Sequence, residues 1–332
     1  MTESLADIAQ ALVASGKGIL AADESTGTIK KRFDSISVES TEDSRRDYRE
    51  LLFRAKGGND FISGVILYDE TLRQNAADGT PLSKVLQDQG IIPGIKVDLG
   101  AKPLAGHDTE TITEGLDGLR DRLKEYAKLG AKFTKWRGVY KITEETPSFA
   151  AVSANAHALA RYAALAQEAG LVPIVEPEIL MDGDHDTNVC QAISEEVLRS
   201  VFAELANQEV ELEGILLKPN MVIAGQDCPE QNSVDEVAER TVATLLRCVP
   251  AAVPGIVFLS GGQSDDLATN HLNAMNKIGS NLPWKLSFSY GRALQAAPLK
   301  TWAGKKENAD AMQQAFLKRA EDNSRASTGT LN

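Results

Sequence analysis

Eight short apolar, β-rich runs recur along this chain at nearly regular intervals, and that spacing limits the folds open to it. The runs are Gly18–Asp23, Phe61–Leu67, Ile92–Asp98, Phe133–Gly138, Val172–Ile179, Gly214–Asn220, Gly255–Gly261 and Trp284–Gly291. Their starts differ by 43, 31, 41, 39, 42, 41 and 29 residues. Between them lie stretches with apolar residues at helical spacing: Ser44–Ala55, Gly115–Leu129, Ser153–Ala169, Ser194–Asn207 and Val234–Cys248. Strands alternating with helices of this length build parallel βαβ units. Eight such units predict an α/β fold, a parallel eight-stranded (β/α)8 TIM barrel, which takes about 250 residues and tolerates insertions. The 332 residues would accommodate one such domain or two ordinary ones. The even spacing favours a single domain over residues 1–332. A doubly wound open sheet is the alternative, although no Gly-x-Gly-x-x-Gly turn follows the first run. The end of the chain reads as a helix, Ala309–Ala320, followed by a polar tail over 321–332 that is expected to be mobile.

Composition matters here chiefly through charge. Lys and Arg total 35 against 47 Asp and Glu, a net charge of −12. So acidic a chain is poorly suited to nucleic acid or to a polybasic membrane contact, and neither is expected as a partner. Any anion pocket must then be a local cluster of cations. The three cysteines, Cys190, Cys228 and Cys248, are odd in number and lack zinc-site spacing, which suits a reducing compartment. The first residues carry Glu3 and Asp7 and no basic leader, and no apolar run approaches the roughly 20 residues that cross a bilayer. The expected location is cytoplasmic.

The informative anomaly is charge inside the strands. Lys135 and Arg137 stand two apart in the fourth run, and Glu176 and Glu178 two apart in the fifth. Lys218 lies in the sixth, and the first ends at Asp23. Residues two apart on a strand share a face. Facing the surrounding helices, these charges would be costly unless paired. Facing the barrel interior near its C-terminal mouth, they would form a site. A buried ion-pair network is the plainer alternative. An amine with cations and carboxylates around it suits imine chemistry on a ketone, because a neighbouring cation and desolvation both favour the neutral, nucleophilic form.

The seventh run ends in Ser260-Gly261-Gly262 and the eighth in Ser289-Tyr290-Gly291-Arg292. Gly-rich turns after the last two strands of such a barrel commonly hold phosphate, and Arg292 adds a forked donor. Tight turns alone would also explain the glycines. After the first run, Ser25 and Thr28 with Lys31 and Arg32 read either as a helix cap or as a second anion site, and the two are compatible. The segment Gly183-Asp184-His185-Asp186 reads as a solvated turn rather than a metal site. The histidines His107, His157, His185 and His271 sit in loops or helix patterns, and no Ser-His-Asp constellation emerges.

Together these motifs resemble the class I fructose-1,6-bisphosphate aldolases. The resemblance rests on Gly16–Thr28, Gly94–Asp98, Lys135–Arg137, Val175–Leu180, Leu216–Met221, Phe258–Ser264 and Phe288–Gln295, in the family's order along nearly the whole chain. It implies a (β/α)8 barrel that reversibly cleaves fructose 1,6-bisphosphate, a phosphorylated sugar, with neither cofactor nor metal. It assigns Lys218 as the Schiff-base nucleophile, Glu176 as the main acid/base and Glu178 as its partner. Asp23 would act on the hydroxyl at the scissile bond, and Lys135 would steer protonation beside Arg137. Ser260, Gly261, Gly262, Ser289, Gly291 and Arg292 would hold the ketone-side phosphate. Ser25, Thr28, Lys31 and Arg32 would form the rim for the other phosphate. A homo-oligomer, often a tetramer, is also implied. Two departures stand out. Leu99 occupies a position where many members carry a phosphate-binding Lys, and Lys102 is the candidate replacement. No Tyr follows Tyr290, whereas animal members end in one. Two other functions fit the same residues: an imine-forming aldolase for another phosphorylated ketose, and a barrel kept as a binding scaffold.

Overall fold

The computed structural model describes residues 3–278 and 281–332. Eight parallel strands close a barrel: β1 (Gly18–Ala22), β2 (Ile62–Leu67), β3 (Ile92–Lys96), β6 (Phe133–Tyr140), β7 (Val172–Ile179), β8 (Leu216–Leu217), β9 (Gly255–Phe258) and β10 (Lys285–Tyr290). They follow chain order around the barrel, with β10 pairing back onto β1 through Ile19 opposite Ser289. Each expected run coincides with one barrel strand. The remaining pair, β4 (Ala101–Leu104) and β5 (His107–Thr113), forms an antiparallel hairpin between β3 and β6 that periodicity did not reveal. Asn155 clamps this hairpin, its amide oxygen accepting from the Thr113 N–H and its amide nitrogen donating to the Thr111 carbonyl.

Helices fill the connections, and side-chain caps start many of them. Ser148, Asp186 and Ser233 accept first-turn N–H bonds at the starts of Phe149–Glu168, Thr187–Asn207 and Val234–Cys248. Such caps satisfy N–H groups that have no partner within the helix. Asp186, in the segment weighed as a metal turn, is therefore a helix cap. The strand β8 is short because Pro219 follows Lys218 and has no N–H to offer. The Lys218 N–H still reaches the Val175 carbonyl at 2.8 Å.

The barrel interior is apolar at its N-terminal end. Ile19, Ile66, Phe133, Val172, Ile174, Leu216 and Val257 form one cluster with Ile8, Ala9, Leu12 and Val13. The last four belong to or follow the helix Leu5–Leu12, which plugs the barrel floor. Glycine makes room for the plug. A Cβ at Gly94 would sit 2.4 Å from the Phe133 ring, and one at Gly64 2.7 Å from Leu12. A larger cluster lies between the strands and the outer helices.

The C-terminal segment differs from the expectation. The helix runs over Ala309–Ala326, past Ala320, because Asn323 and Ala326 are fully buried. Asn323 accepts from Thr269 at 2.9 Å, and Asn273 exchanges two hydrogen bonds with the Leu331 backbone. A polar composition alone concealed these two buried amide contacts. Among the described residues, no helix is long and apolar enough to cross a membrane.

Candidate active site

The charged strand residues meet at the C-terminal mouth, in a cavity of about 510 Å³. Strand parity brings them there. On β6, Lys135 and Arg137 continue the inward row begun by Phe133. On β7, Glu176 and Glu178 continue Val172 and Ile174, with Arg137 in register with Glu176. Asp23 continues Ile19 and Ala21 one residue past β1, and Lys218 continues Leu216 one residue past β8.

Four groups form an alternating chain of charge. Lys135 Nζ lies 2.7 Å from Asp23 and 3.1 Å from Glu176 Oε2. Lys218 Nζ lies 3.0 Å from the other oxygen of the same carboxylate, Glu176 Oε1. Lys135, Glu176 and Lys218 are each less than 5 % exposed. Burial alone would push the carboxyls of Asp23 and Glu176 up. The charges of Lys135 and Lys218 outweigh it, and both are held below the ordinary carboxylate range. Burial likewise opposes the Lys135 ammonium, but Asp23 and Glu176 override it and hold the group above the usual lysine range. Lys135 is thus a fixed cation. Glu178 behaves differently: burial dominates, and its pKa is raised despite contact with Arg137. Two neighbouring carboxyls therefore differ, one held ionised between two lysines and one inclined to keep its proton.

The cavity counts six cations (Arg32, Lys96, Lys135, Arg137, Lys218, Arg292) against five carboxylates (Asp23, Glu24, Asp98, Glu176, Glu178). Here the overall acidic charge is reversed locally. Ser260, Gly261, Ser289, Gly291 and Arg292 line one side. The Ser289 hydroxyl is buried and has no partner among the described residues. Gly291 is the residue before the helix Arg292–Trp302, and no side-chain cap takes that helix's first N–H groups. Arg292 is tethered to the Ser260 and Gln263 carbonyls. Beside them, after β1, which pairs with β10, stand Ser25, Thr28 and Arg32, with Arg32 paired to Glu24 at 2.5 Å. Ser25 also caps the helix Thr26–Asp34, so the cap and rim readings hold together.

Three expected residues do not line the cavity. Lys31 is exposed on the outer side of its helix, one position from the inward-facing Arg32. Lys102 is exposed on β4, where Ala101 takes the inward place. Gly262 stands at φ +76°, its backbone packed against Met181, and serves the turn rather than the lining. Leu99 is exposed beside the lining residue Gly100.

Sequence reasoning missed Lys96 and Asp98. They pair at 2.8 Å and both line the cavity. The same signal that exposed Lys135, a charge inside a β-rich run, was present in Gly94–Asp98. Glu24 was missed as well. It is buried, and it is held by Arg32 and by Gln295 at 2.7 Å. No local pattern marks that contact. Among the described residues, no group of three or more His, Cys, Asp or Glu side chains could hold a metal ion.

Comparison with known proteins gives consistent matches. The family model described as "Fructose-bisphosphate aldolase class-I" matches residues 4–332. A curated Xanthomonas campestris relative, named "Probable fructose-bisphosphate aldolase class 1", is 58 % identical over 98 % of each chain. Fructose-bisphosphate aldolase C of Carassius auratus is 56 % identical over 98 % of this chain and 90 % of its own. Among solved structures, a fructose-bisphosphate aldolase from Plasmodium falciparum, in complex with TRAP and a small-molecule inhibitor, superposes with a TM-score of 0.97. It is 52 % identical and the match covers 99 % of this chain and 95 % of that one.

Proposed function

This chain belongs to the class I fructose-bisphosphate aldolases, and from that premise we propose how its own residues perform the family's reaction. The protein is a lyase that reversibly cleaves fructose 1,6-bisphosphate to dihydroxyacetone phosphate and glyceraldehyde 3-phosphate, a step of glycolysis and gluconeogenesis. The observation that carries the mechanism is Lys218, buried and in contact with one oxygen of Glu176 while Lys135 holds the other.

Glu176 accepts a proton from the Lys218 ammonium across 3.0 Å, freeing the amine. The amine adds to the ketone carbon of the substrate, and the carbonyl oxygen leaves as water after taking up two protons, one of them returned by Glu176. The protonated imine then withdraws the electrons of the neighbouring carbon–carbon bond. That bond breaks as the adjacent hydroxyl gives its proton to the Glu176 carboxylate, releasing the aldehyde and leaving an enamine on Lys218. Asp23, held strongly ionised, suits orienting that hydroxyl. Protonation of the enamine at carbon and hydrolysis of the imine return dihydroxyacetone phosphate and the free lysine. Glu178, which keeps its proton more readily, supports the proton traffic of Glu176.

The ketone-side phosphate takes the Ser260, Gly261, Ser289 and Gly291 side with Arg292. The distal phosphate takes Ser25, Thr28 and Arg32, with Lys96 supplying charge inside the cavity. Borohydride reduction in the presence of dihydroxyacetone phosphate and EDTA tests this. A stable adduct mapped to Lys218 is expected. No adduct on any lysine of the folded protein would overturn the Schiff-base assignment and favour the scaffold reading. Comparing fructose 1,6-bisphosphate with fructose 1-phosphate measures what Leu99 costs at the distal rim. A homo-oligomer rests on the family resemblance, and sedimentation would establish it. Cytoplasmic location is supported by a relative named as a cytosolic aldolase of Arabidopsis thaliana, 56 % identical over 95 % of this chain.

A further inference from the structure

The turn after β9 is anchored by a residue that the chemistry above does not use. Gln263 is buried but does not line the cavity. Its backbone carbonyl accepts a bond from Arg292 Nη2, and its N–H closes the turn onto the Ser260 carbonyl at 3.4 Å. Its side-chain oxygen Oε1 lies 2.6 Å from Nδ1 of His271, which is 4 % exposed on the helix Asp265–Ile278. An amide oxygen only accepts, so Nδ1 carries the hydrogen and donates. The other ring nitrogen, Nε2, is buried without a partner among the described residues. Burial pushes the His271 pKa down to about 4, so this pairing is constant through the neutral range.

We propose that His271 is a positioning residue for phosphate binding, holding the 260–263 turn and the carbonyl that seats Arg292 by way of Gln263. The proposal rests on the reading of Ser260, Gly261 and Arg292 as the ketone-side phosphate site. Without the Nδ1 donor, a buried amide oxygen loses its partner and Gln263 must find a new arrangement. The backbone carbonyl moves with it, and Arg292 loses its seat. Imine formation at Lys218 is spared, because Glu176 and Lys135 lie on β7 and β6. The loss therefore falls on substrate affinity rather than on turnover.

The test compares His271→Ala, His271→Asn, Gln263→Ala and the His271→Ala/Gln263→Ala double variant, with Arg292→Ala as reference. Asn carries a side-chain N–H at the branch where His271 has Nδ1. Gln263→Ala removes the same bond from the other side, so the test survives if one variant fails to fold. Kinetics with fructose 1,6-bisphosphate, inhibition by inorganic phosphate and melting temperature are measured for each. His271→Ala is expected to raise KM and the phosphate inhibition constant about three- to tenfold, the equivalent of one buried hydrogen bond, with kcat shifted less than about twofold. His271→Asn restores both constants, and the double variant is no worse than either single one. The proposal is overturned if His271→Asn is as impaired as His271→Ala. It is equally overturned if stability falls while KM and phosphate inhibition hold, or if the double variant is additive. If Arg292→Ala itself leaves KM and phosphate inhibition unchanged, the phosphate-site reading fails. If Arg292→Ala raises both and His271→Ala raises neither, only the positioning role fails.

Discussion

The two ends of the barrel interior are built from the same inward-facing rows, yet they do opposite things. On β6 the row runs Phe133, Lys135, Arg137, and on β7 it runs Val172, Ile174, Glu176, Glu178. The lower members join the plug formed by Leu12 and Val13. The upper members line the cavity. Parity selects the face, and height along the strand selects between packing and chemistry. The floor excludes water and holds the strands in register. It also limits the solvent beneath the charged layer, which strengthens each electrostatic contact above it. The charges in turn are tolerable because each buried ion has an opposite partner within about 3 Å.

Substitutions at the two ends should therefore separate activity from stability. The largest effect is expected at the mouth. Lys218→Met removes the covalent route and should lower kcat on the order of 10⁴-fold or more, with the protein still folded by circular dichroism. Residual turnover near wild type would break the contrast at once. Glu176→Gln should cost roughly 10²–10⁴-fold in kcat, read together with a reduced yield of the borohydride-trapped adduct.

At the floor the expectation reverses. Phe133→Ala should lower unfolding free energy by about 3–5 kcal/mol, the range for emptying a buried aromatic site, measured by denaturant titration. With the protein kept folded, kcat should remain within a few-fold. A catalytic collapse without a stability loss would show that the floor does more than pack. Arg292→Ala is smaller, about 1.5–3 kcal/mol in binding of a ketose phosphate, read as a rise in KM and in the dissociation constant of dihydroxyacetone phosphate.

The finest discrimination is pH. Asp23 and Glu176 are held low in the fold, so their stabilisation is complete above the unfolded carboxylate values near pH 4. It is lost as pH falls through their folded values. Lys135 is held high, so its share is complete below the unfolded lysine value near 10.4 and is lost only as pH rises through the folded one. Glu178, raised, works the other way: its share is present at acid pH and declines as pH rises. Phe133→Ala should shift the stability–pH curve down without changing its shape. Lys135→Met should alter its shape, flattening the acid limb by weakening the depression of Asp23 and Glu176. Parallel curves for both variants would show that the charged layer does not control acid unfolding.

Much of this is legible in the sequence. The eight runs predicted the barrel because strand and helix periods differ and the repeat length suits βαβ units. The pairs Lys135/Arg137 and Glu176/Glu178 revealed the interior face because residues two apart must share it. The hairpin β4–β5 escaped because its strands, exposed and polar, carry no apolar run. The helix Leu5–Leu12 was passed over because eight residues with acidic neighbours look like a solvated terminus, although Ile8, Ala9 and Leu12 are buried. Lys31 was expected at the rim from the motif after β1 and the family resemblance, and Lys102 from its nearness to Leu99, and neither ground specifies which way a helix or hairpin turns its side chains.

What the sequence determined by itself was therefore the local order: where strands and helices alternate, which residues share a face, and which residue types could support imine chemistry. Periodicity and charge act over a few residues, and a linear reading captures them. Only the tertiary structure decided that both oxygens of Glu176 are shared by two lysines from different strands, that Glu176 and Glu178 are shifted in opposite directions, and that Lys96 enters the site while Lys102 stays outside. Those outcomes depend on closure of the barrel, which brings residues over a hundred positions apart within 3 Å of one another and removes the water that would otherwise level their charges.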